Sequence, residues 1–236
     1  MTTKMGMALV ALGLGAATLT GCGGGCNDFT EKSADDIVKA SKTDMGELKS
    51  VKVSGTISSD GQDISIDLQA SSEGDCTGTI GVADGSTELL GVDGTTWMRP
   101  DEAFWQSFGG ENADQIMAAV GDKWVVIPAE EDSFNQFCDV DELLDQMLKE
   151  DKGDGSTYAK AGDDEVDGDD VIKVDNKDPE DGDSTGYVLV DDPHYLVKIE
   201  RTKGEDQGTV SFSDFDEKVD VTAPSDDDVI DLNSLG

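Results

Sequence analysis

The feature that most constrains the fold is a two-residue alternation of apolar and polar side chains, which begins at Val51 and returns near the C-terminus. Successive side chains of a strand point to opposite faces, so this pattern predicts strands with one apolar and one solvated face. Asp60-Gly61 and Asp93-Gly94 separate neighbouring runs, and Asp-Gly is a favoured pair in two-residue hairpin turns. The sequence therefore predicts a meander of antiparallel strands.

Helical periodicity appears before the strands and again between two groups of them. We predict a helix from Ser33 to Leu48, because Ser33 with Asp36 three residues later forms a capping-box pattern and apolar residues follow at helical spacing. In the middle of the chain, Asp101, Asn112 and Asp141 can each begin a short helix. A helix, strands, a helical insertion and further strands together predict an α+β fold with one large antiparallel sheet.

The N-terminus has the composition of a secretory signal peptide over residues 1–21. Lys4 precedes an uncharged stretch over 5–19, which is shorter than the ~20 apolar residues that a transmembrane helix needs. The stretch ends in Leu19-Thr20-Gly21-Cys22, which resembles the lipobox of bacterial prolipoproteins. That resemblance implies cleavage before Cys22 and a diacylglyceryl anchor on its sulfur, with acyl chains such as palmitate. The alternative is an ordinary signal peptide followed by a chance cysteine.

The chain after the signal peptide divides into a tether over 22–29, which contains three consecutive glycines, and a single domain over 30–236. We expect it on the extracytoplasmic face of the cell membrane, anchored by lipid and monomeric. The 17 basic and 53 acidic residues give a net charge of −36. Nucleic-acid binding is excluded as a function, because it requires a basic surface that neutralises phosphates.

The four cysteines have different expected roles. Beyond Cys22, which takes lipid, Cys76 and Cys138 lie within structured-looking sequence, and disulfides persist outside the cytoplasm. We predict a disulfide between them, with two buried free thiols as the alternative. Cys26 lies in the tether and has no assigned role. A zinc site is not expected, because the chain has no C-x-x-C pair and one histidine.

Two motifs suggest catalysis or calcium binding but lack the sequence context that either needs. The segment over 182–186 matches G-x-S-x-G around Ser184, yet a strand-like run follows it where a nucleophile elbow requires a helix. His194 lies close by in sequence and is interpreted as a turn residue. The run from Asp163 begins like a calcium loop but has Val174 at the twelfth position instead of a glutamate. We therefore predict neither an enzyme nor a resident metal or cofactor.

Two segments of the aromatic-rich middle carry a family resemblance. The stretches over 92–105 (VDGTTWMRPDEAFW) and 121–125 (GDKWV) are similar to actinobacterial lipoproteins of the LppX/LprAFG group. In that group, and in the wider LolA-like class, helices cover one face of a curved antiparallel half-barrel. The resemblance implies a cavity between the two layers that accepts acyl chains of lipids or glycolipids, with no catalysis.

We expect the cavity to be lined by apolar side chains from the first strands and from the helical insertion. The predicted lining residues are Ile66, Leu68, Leu89, Trp97, Phe104, Trp105, Ile116, Met117, Leu143 and Met147. The alternative function is a structural or signalling envelope lipoprotein with a filled core, whose acidic surface binds a cationic protein partner.

Overall fold

The computed structural model describes residues 28–59, 61–128, 132–148, 156–179, 182–203 and 207–231. The predicted signal peptide, Cys22 and Cys26 lie outside these residues, so their roles stay predictions. Within the described part of the chain, no helix is both long enough and apolar enough to cross a membrane.

The structure has five α-helices and twelve strands in its described part, and their order contains the predicted helix, strands, helical insertion and further strands. The helices are α1 (Ala34–Met45), α2 (Glu102–Phe108), α3 (Ala113–Val120), α4 (Asp132–Asn135) and α5 (Val140–Leu148). The strands are β1 (Ser50–Ser59), β2 (Gln62–Ser71), β3 (Cys76–Val82), β4 (Gly85–Val92), β5 (Thr95–Pro100), β6 (Trp124–Ile127), β7 (Thr157–Val166), β8 (Asp169–Asp178), β9 (Gly182–Leu189), β10 (Leu196–Arg201), β11 (Gln207–Ser213) and β12 (Val229–Ile230).

All twelve strands form one open sheet in the order β12-β6-β5-β4-β3-β2-β1-β11-β10-β9-β8-β7. Every neighbouring pair is antiparallel except β12 with β6. The sheet has two halves, β1–β6 and β7–β11, which join where Val53 of β1 lies opposite Phe212 of β11. The predicted α+β class and the half-barrel sheet are confirmed.

The joint between the two halves depends on glycine. Gly55 of β1 and Gly208 of β11 lie on adjacent strands, and a Cβ at either position would overlap a backbone carbonyl of the facing strand. The absence of a side chain at both positions therefore permits the close approach of β1 and β11.

The first helix begins as the capping pattern predicts. The Ser33 hydroxyl accepts a hydrogen bond from the Asp36 backbone N–H at 3.2 Å and donates one to the Asp36 carboxylate at 2.7 Å.

The core begins before the predicted domain start at residue 30. Phe29 is 3% exposed and stacks on the His194 ring, with 3.5 Å between centroids. A residue assigned to the tether is therefore part of the packed domain.

Aromatic and aliphatic side chains fill the space over the β1–β6 half. Helix α2 packs on β4, where the absence of a side chain at Gly85 lets the backbone of Phe104 approach. The predicted Cys76–Cys138 disulfide is present and connects β3 to the turn that precedes α5. The helical insertion is therefore fixed covalently to the sheet over this half.

Candidate functional site

The candidate site is a cavity of about 140 Å³ over the other half of the sheet. Helix α1 forms one wall with Val38 and Met45, and α5 adds Met147 and Leu148 at its C-terminal end. Strands β7 to β10 form the floor. The space lies between the helix layer and the sheet.

The floor has an apolar part built from strand register. Val174 of β8 pairs with Gly186 of β9, which pairs with Ile199 of β10. Val188 and Leu196, one row further along, are both buried and line the same space. Gly186 contributes no side chain, so the cavity is deepest above Gly186. Apolar surface on both walls and floor favours a hydrocarbon occupant.

The other end of the floor is polar. Tyr158, Asn176, Ser184 and Arg201 are register neighbours across β7, β8, β9 and β10, and all four line the cavity. We call these four residues the polar row. Alternation along each strand puts them on the same face as the apolar row. The cavity is therefore amphipathic, with hydrocarbon surface at one end and hydrogen-bonding groups at the other.

Asn176 has an unusual position within the polar row. Its Oδ1 atom is buried and has no hydrogen-bond partner among the described residues. Such an atom destabilises the folded protein by about 1–3 kcal/mol, since its hydration is lost without replacement. An occupant of the cavity could supply the missing partner.

A surface groove adjoins the cavity along the outer side of α1. It is lined by Asp35, Lys39 and Thr43, and it shares Val38, Lys42 and Tyr158 with the cavity. The shared residues make the groove a route by which an elongated molecule could reach the space between the layers.

The ten predicted lining residues occupy four kinds of position. Met147 lines the cavity. The other nine are not in its lining. Five of them lie in the buried core (Leu68, Leu89, Phe104, Trp105 and Leu143), and three are partly buried against that core (Ile66, Ile116 and Met117). Trp97 lies beside the buried Met98 on the opposite face of β5 and pairs with Leu90 and Val126.

Sequence reasoning missed the cavity because it followed the aromatic residues. Large aromatic side chains fill space, and the phenylalanines over the β1–β6 half pack on one another. The ring centroids of Phe104 and Phe108 are 4.5 Å apart. The sequence did contain a signal on the face of β7 to β10 that lines the cavity. Strand positions that face a packed core usually carry large apolar side chains, but here some carry small or polar ones, such as Ser184 and Gly186. Small side chains under a helix leave space.

The structure places Ser184 of the G-x-S-x-G segment in a strand and His194 against a packed aromatic ring. Ser184 lies within β9, with strand on both sides, so the strand-turn-helix context of a nucleophile elbow is missing. His194 stacks on Phe29, its backbone N–H donates to Asp44 at 2.7 Å, and its Nδ1 lies 3.2 Å from the Leu189 carbonyl oxygen. Over the described ranges, no group of three or more His, Cys, Asp or Glu side chains is arranged to hold a metal ion.

The outer face of β7 to β10 carries a polar network. The Tyr187 hydroxyl donates to Glu200 at 2.6 Å, and Lys198 Nζ donates to the same carboxylate at 2.9 Å. The hydrogen bond from Tyr187, followed by that from Lys198, lowers the pKa of Glu200. Burial, followed by the bond to Glu200, raises the pKa of Tyr187. This network stabilises the sheet from the side opposite the cavity.

Comparison with solved structures identifies the fold. LprF from Mycobacterium bovis matches with a TM-score of 0.55 and 17% identity, over 81% of this chain and 97% of LprF. The Mycobacterium tuberculosis lipoprotein LppX matches with a TM-score of 0.51 and 16% identity, over 79% of this chain and 97% of LppX. The chain has the fold of LprF and LppX. The predicted resemblance to the LppX/LprAFG group is thus confirmed at the level of fold.

The sequence itself gives no closer assignment. The chain matches no protein-family model, and comparison with curated proteins gave no match.

Proposed function

We propose that this protein is an extracytoplasmic lipoprotein, anchored through Cys22, that binds or carries an acyl chain of a lipid or glycolipid. The observation that carries the proposal is the unfilled apolar space between α1, α5 and the floor of β7 to β10. Packed protein interiors contain few voids larger than a water molecule. The LprF and LppX fold supports the proposal, since LppX is itself a lipoprotein.

The size of the cavity limits how much of a lipid it can enclose. Its volume of about 140 Å³ is close to the roughly 150 Å³ of an engineered cavity that binds benzene, and it is below the roughly 300–1,000 Å³ of drug-sized pockets. We therefore expect a segment of one acyl chain inside, with the remainder along the groove of α1 that Lys39 and Thr43 line.

The proposed anchor places this groove near the membrane. Six residues lie between Cys22 and Phe29, and the seven residue steps of a fully extended chain span at most about 25 Å. Helix α1 begins at Ala34, shortly after Phe29 docks on the domain. An acyl chain leaving the bilayer would thus have a short distance to travel to the groove.

The test is recovery of non-covalent lipid from the full chain purified in detergent from a bacterial host. After gel filtration, organic extraction removes bound lipid while the acylated N-terminal peptide stays with the protein, and mass spectrometry then quantifies each separately.

The matched variants are Gly186→Val and Thr185→Val. A Cβ at Gly186 meets only the end of the Leu196 side chain at 3.3 Å and the Val174 carbonyl oxygen at 3.9 Å, so valine there fills the cavity.

We expect acyl lipid from the wild type and from Thr185→Val, and a loss of at least fivefold from Gly186→Val. Thr185 alternates with Gly186 and bonds to Asp175 on the outer face, so its substitution leaves the cavity unchanged. Equal lipid from wild type and Gly186→Val would refute binding at this site. No lipid from any protein would favour the alternative, an acidic lipoprotein that acts by binding a protein partner.

A further inference from the structure

A row of apolar side chains reaches solvent at one end of the β1–β6 half of the sheet. Ile57, Ile64 and Val82 are register neighbours across β1, β2 and β3. Strand alternation puts them on the same face as the buried Val53 and Leu68. Ile64 is nevertheless 39% exposed. The core-facing side of the sheet is therefore open to water at this end.

Phe108 extends the apolar surface onto helix α2. Val82 pairs with Gly85, and a Cβ at Gly85 would overlap the backbone of Phe104. The ring centroids of Phe104 and Phe108 are 4.5 Å apart, and Phe108 is 56% exposed. Among the described residues, Ile64 and Phe108 are the two large apolar side chains that are exposed. The connected surface, which we call the apolar rim, consists of Ile57, Ile64, Val82 and Phe108.

The helices flank the apolar rim and leave a gap between them. Helix α2 packs on β4, and α1 packs on β7 and β10. The turn over 136–138 covers the opposite end of β2 and β3, where the Cys76–Cys138 disulfide fixes it. Ile57 and Val82 are two strand spacings apart, which is about 10 Å, close to the diameter of one α-helix. The gap therefore fits one further segment of chain.

Negative charge borders the apolar rim on three elements. Asp63 lies beside Ile64 on β2, and Asp84 lies in the turn that joins β3 to β4. Glu102 is the first residue of α2. All three side chains are exposed, and none of them forms an ion pair within the described part of the chain. Their charges are therefore available to a partner.

Positive charge is scarce in this part of the chain. Residues 53–122 include thirteen acidic residues and one basic residue, Arg99. Arg99 donates hydrogen bonds to both carboxylate oxygens of Glu88, at 2.9 and 2.8 Å, so its charge is already neutralised. A molecule that covers the apolar rim is thus attracted if it carries positive charge of its own.

We propose that the apolar rim is the docking surface for a cationic amphipathic segment of another protein. The apolar side chains of that segment cover Ile64 and Phe108, and its lysines or arginines lie against Asp63, Asp84 and Glu102. The same acids oppose two other occupants. A second copy of this chain brings like charges to the interface, and an anionic bilayer surface repels them. This docking does not depend on lipid binding in the cavity.

The test measures binding of synthetic peptides to the full chain in phosphatidylcholine nanodiscs, with empty discs as the background. The probe is a short fluorescent peptide with leucine and lysine at helical spacing, and its anisotropy reports binding. One control peptide has glutamate in place of lysine. A second has the composition of the probe in an order that destroys the apolar face. We expect the wild type to bind the probe at least about tenfold more tightly than either control.

One pair of variants tests the apolar contact. Ile64→Ser/Phe108→Ser removes two exposed side chains, so the fold should persist, and probe binding should weaken by at least about tenfold. Leu90→Ser is the control, because Leu90 is half-buried on the outer face of β4, and it should leave probe binding unchanged. The melting temperature of each variant checks that it is folded.

A second pair of variants tests the charge contact without touching an apolar residue. Each variant neutralises three exposed acids, either beside the apolar rim or on β7 and β8 in the other half of the sheet. The first set should weaken probe binding severalfold at low ionic strength and less at high ionic strength, because salt screens exposed charges. The second set should have a clearly smaller effect. The two sets are Asp63→Asn/Asp84→Asn/Glu102→Gln and Asp163→Asn/Glu165→Gln/Asp169→Asn.

Equal binding of the probe by the wild type and Ile64→Ser/Phe108→Ser would overturn the inference. Equal binding of the two lysine peptides would also overturn it, since charge alone would then explain the attraction. Equal effects of the two neutralised sets would show that the acids beside the apolar rim have no special role, and would overturn the assignment of a cationic partner.

Other occupants of the apolar rim have signatures of their own, and each would overturn the inference. A dimer detected by light scattering in detergent and abolished by Ile64→Ser/Phe108→Ser would assign the surface to a second copy. A tryptophan introduced by Phe108→Trp and quenched by brominated lipid beyond the wild-type level would assign it to the bilayer. Loss of retained lipid from the serine variant would assign it to the lipid ligand. Absence of retained lipid from the wild type would refute the proposed function alone.

Discussion

The disulfide between Cys76 and Cys138 allows a stability prediction whose size follows from the structure. The bond closes a loop with a sequence separation of 62 residues. For a loop of this length, the chain-entropy model gives about 4 kcal/mol of stabilisation, because the cross-link removes conformations from the unfolded chain. The two sulfurs are buried, with Cys76 0% and Cys138 3% exposed, so reduction requires the insertion to open.

We expect Cys76→Ala/Cys138→Ala to lower the free energy of unfolding by about 4 kcal/mol, measured by urea denaturation. For a domain of this size, the melting temperature should fall by roughly 8–16 °C. The wild type unfolded in a reductant is the control, because it loses the cross-link and keeps both sulfurs. If the double variant and the oxidised wild type differ by less than about 1 kcal/mol, the loop-entropy argument is refuted for this protein.

Three further predictions concern the sheet. Leu89→Ala should lower the free energy of unfolding by about 2–5 kcal/mol, because Leu89 is 1% exposed. The control is Leu90→Ala, since Leu90 is half-buried on the outer face of the same strand, and it should lower the free energy of unfolding clearly less in urea denaturation. Equal losses from the two variants would contradict the assignment of strand faces. Tyr187→Phe should cost about 1 kcal/mol at pH 7. Because the pKa of Glu200 is lowered from 4.5, its stabilisation is present above that pH and lost as pH falls, so the difference between wild type and variant should narrow in acid. A difference that widens in acid would contradict this. Gly55→Ala should destabilise the joint between β1 and β11, since its Cβ would overlap a carbonyl. An unchanged melting temperature would show that the strands can separate without cost.

Much of the fold could be predicted from local sequence. The alternation from Val51, the Asp-Gly turn at 93–94 and the Ser33 cap each gave the element that the structure contains, because strand faces, turns and helix starts depend on a few neighbouring residues. The acidic strand β7 lies at one edge of the sheet. Charged side chains on an exposed edge oppose pairing with other chains.

The site was less predictable than the fold, because a cavity depends on which layer covers which strands. Met147 was the one predicted lining residue that lines it, and Trp97, chosen for its aromatic ring, lies on the other sheet face. Nothing in the local sequence marked Gly186 and Arg201 as residues that line a cavity, since a glycine or an arginine in a short strand is compatible with many roles.

The sequence by itself determined the helix, the strands, their turns and the strongly acidic composition, because each depends on contacts between near neighbours in the chain or on composition. Only the tertiary structure decided that the aromatic insertion fills one half of the sheet while α1 leaves space over the other. The physical reason is that unfilled volume is a property of two packed layers. Strand register across β7 to β10 brought Tyr158, Asn176, Ser184 and Arg201 together from positions up to 43 residues apart.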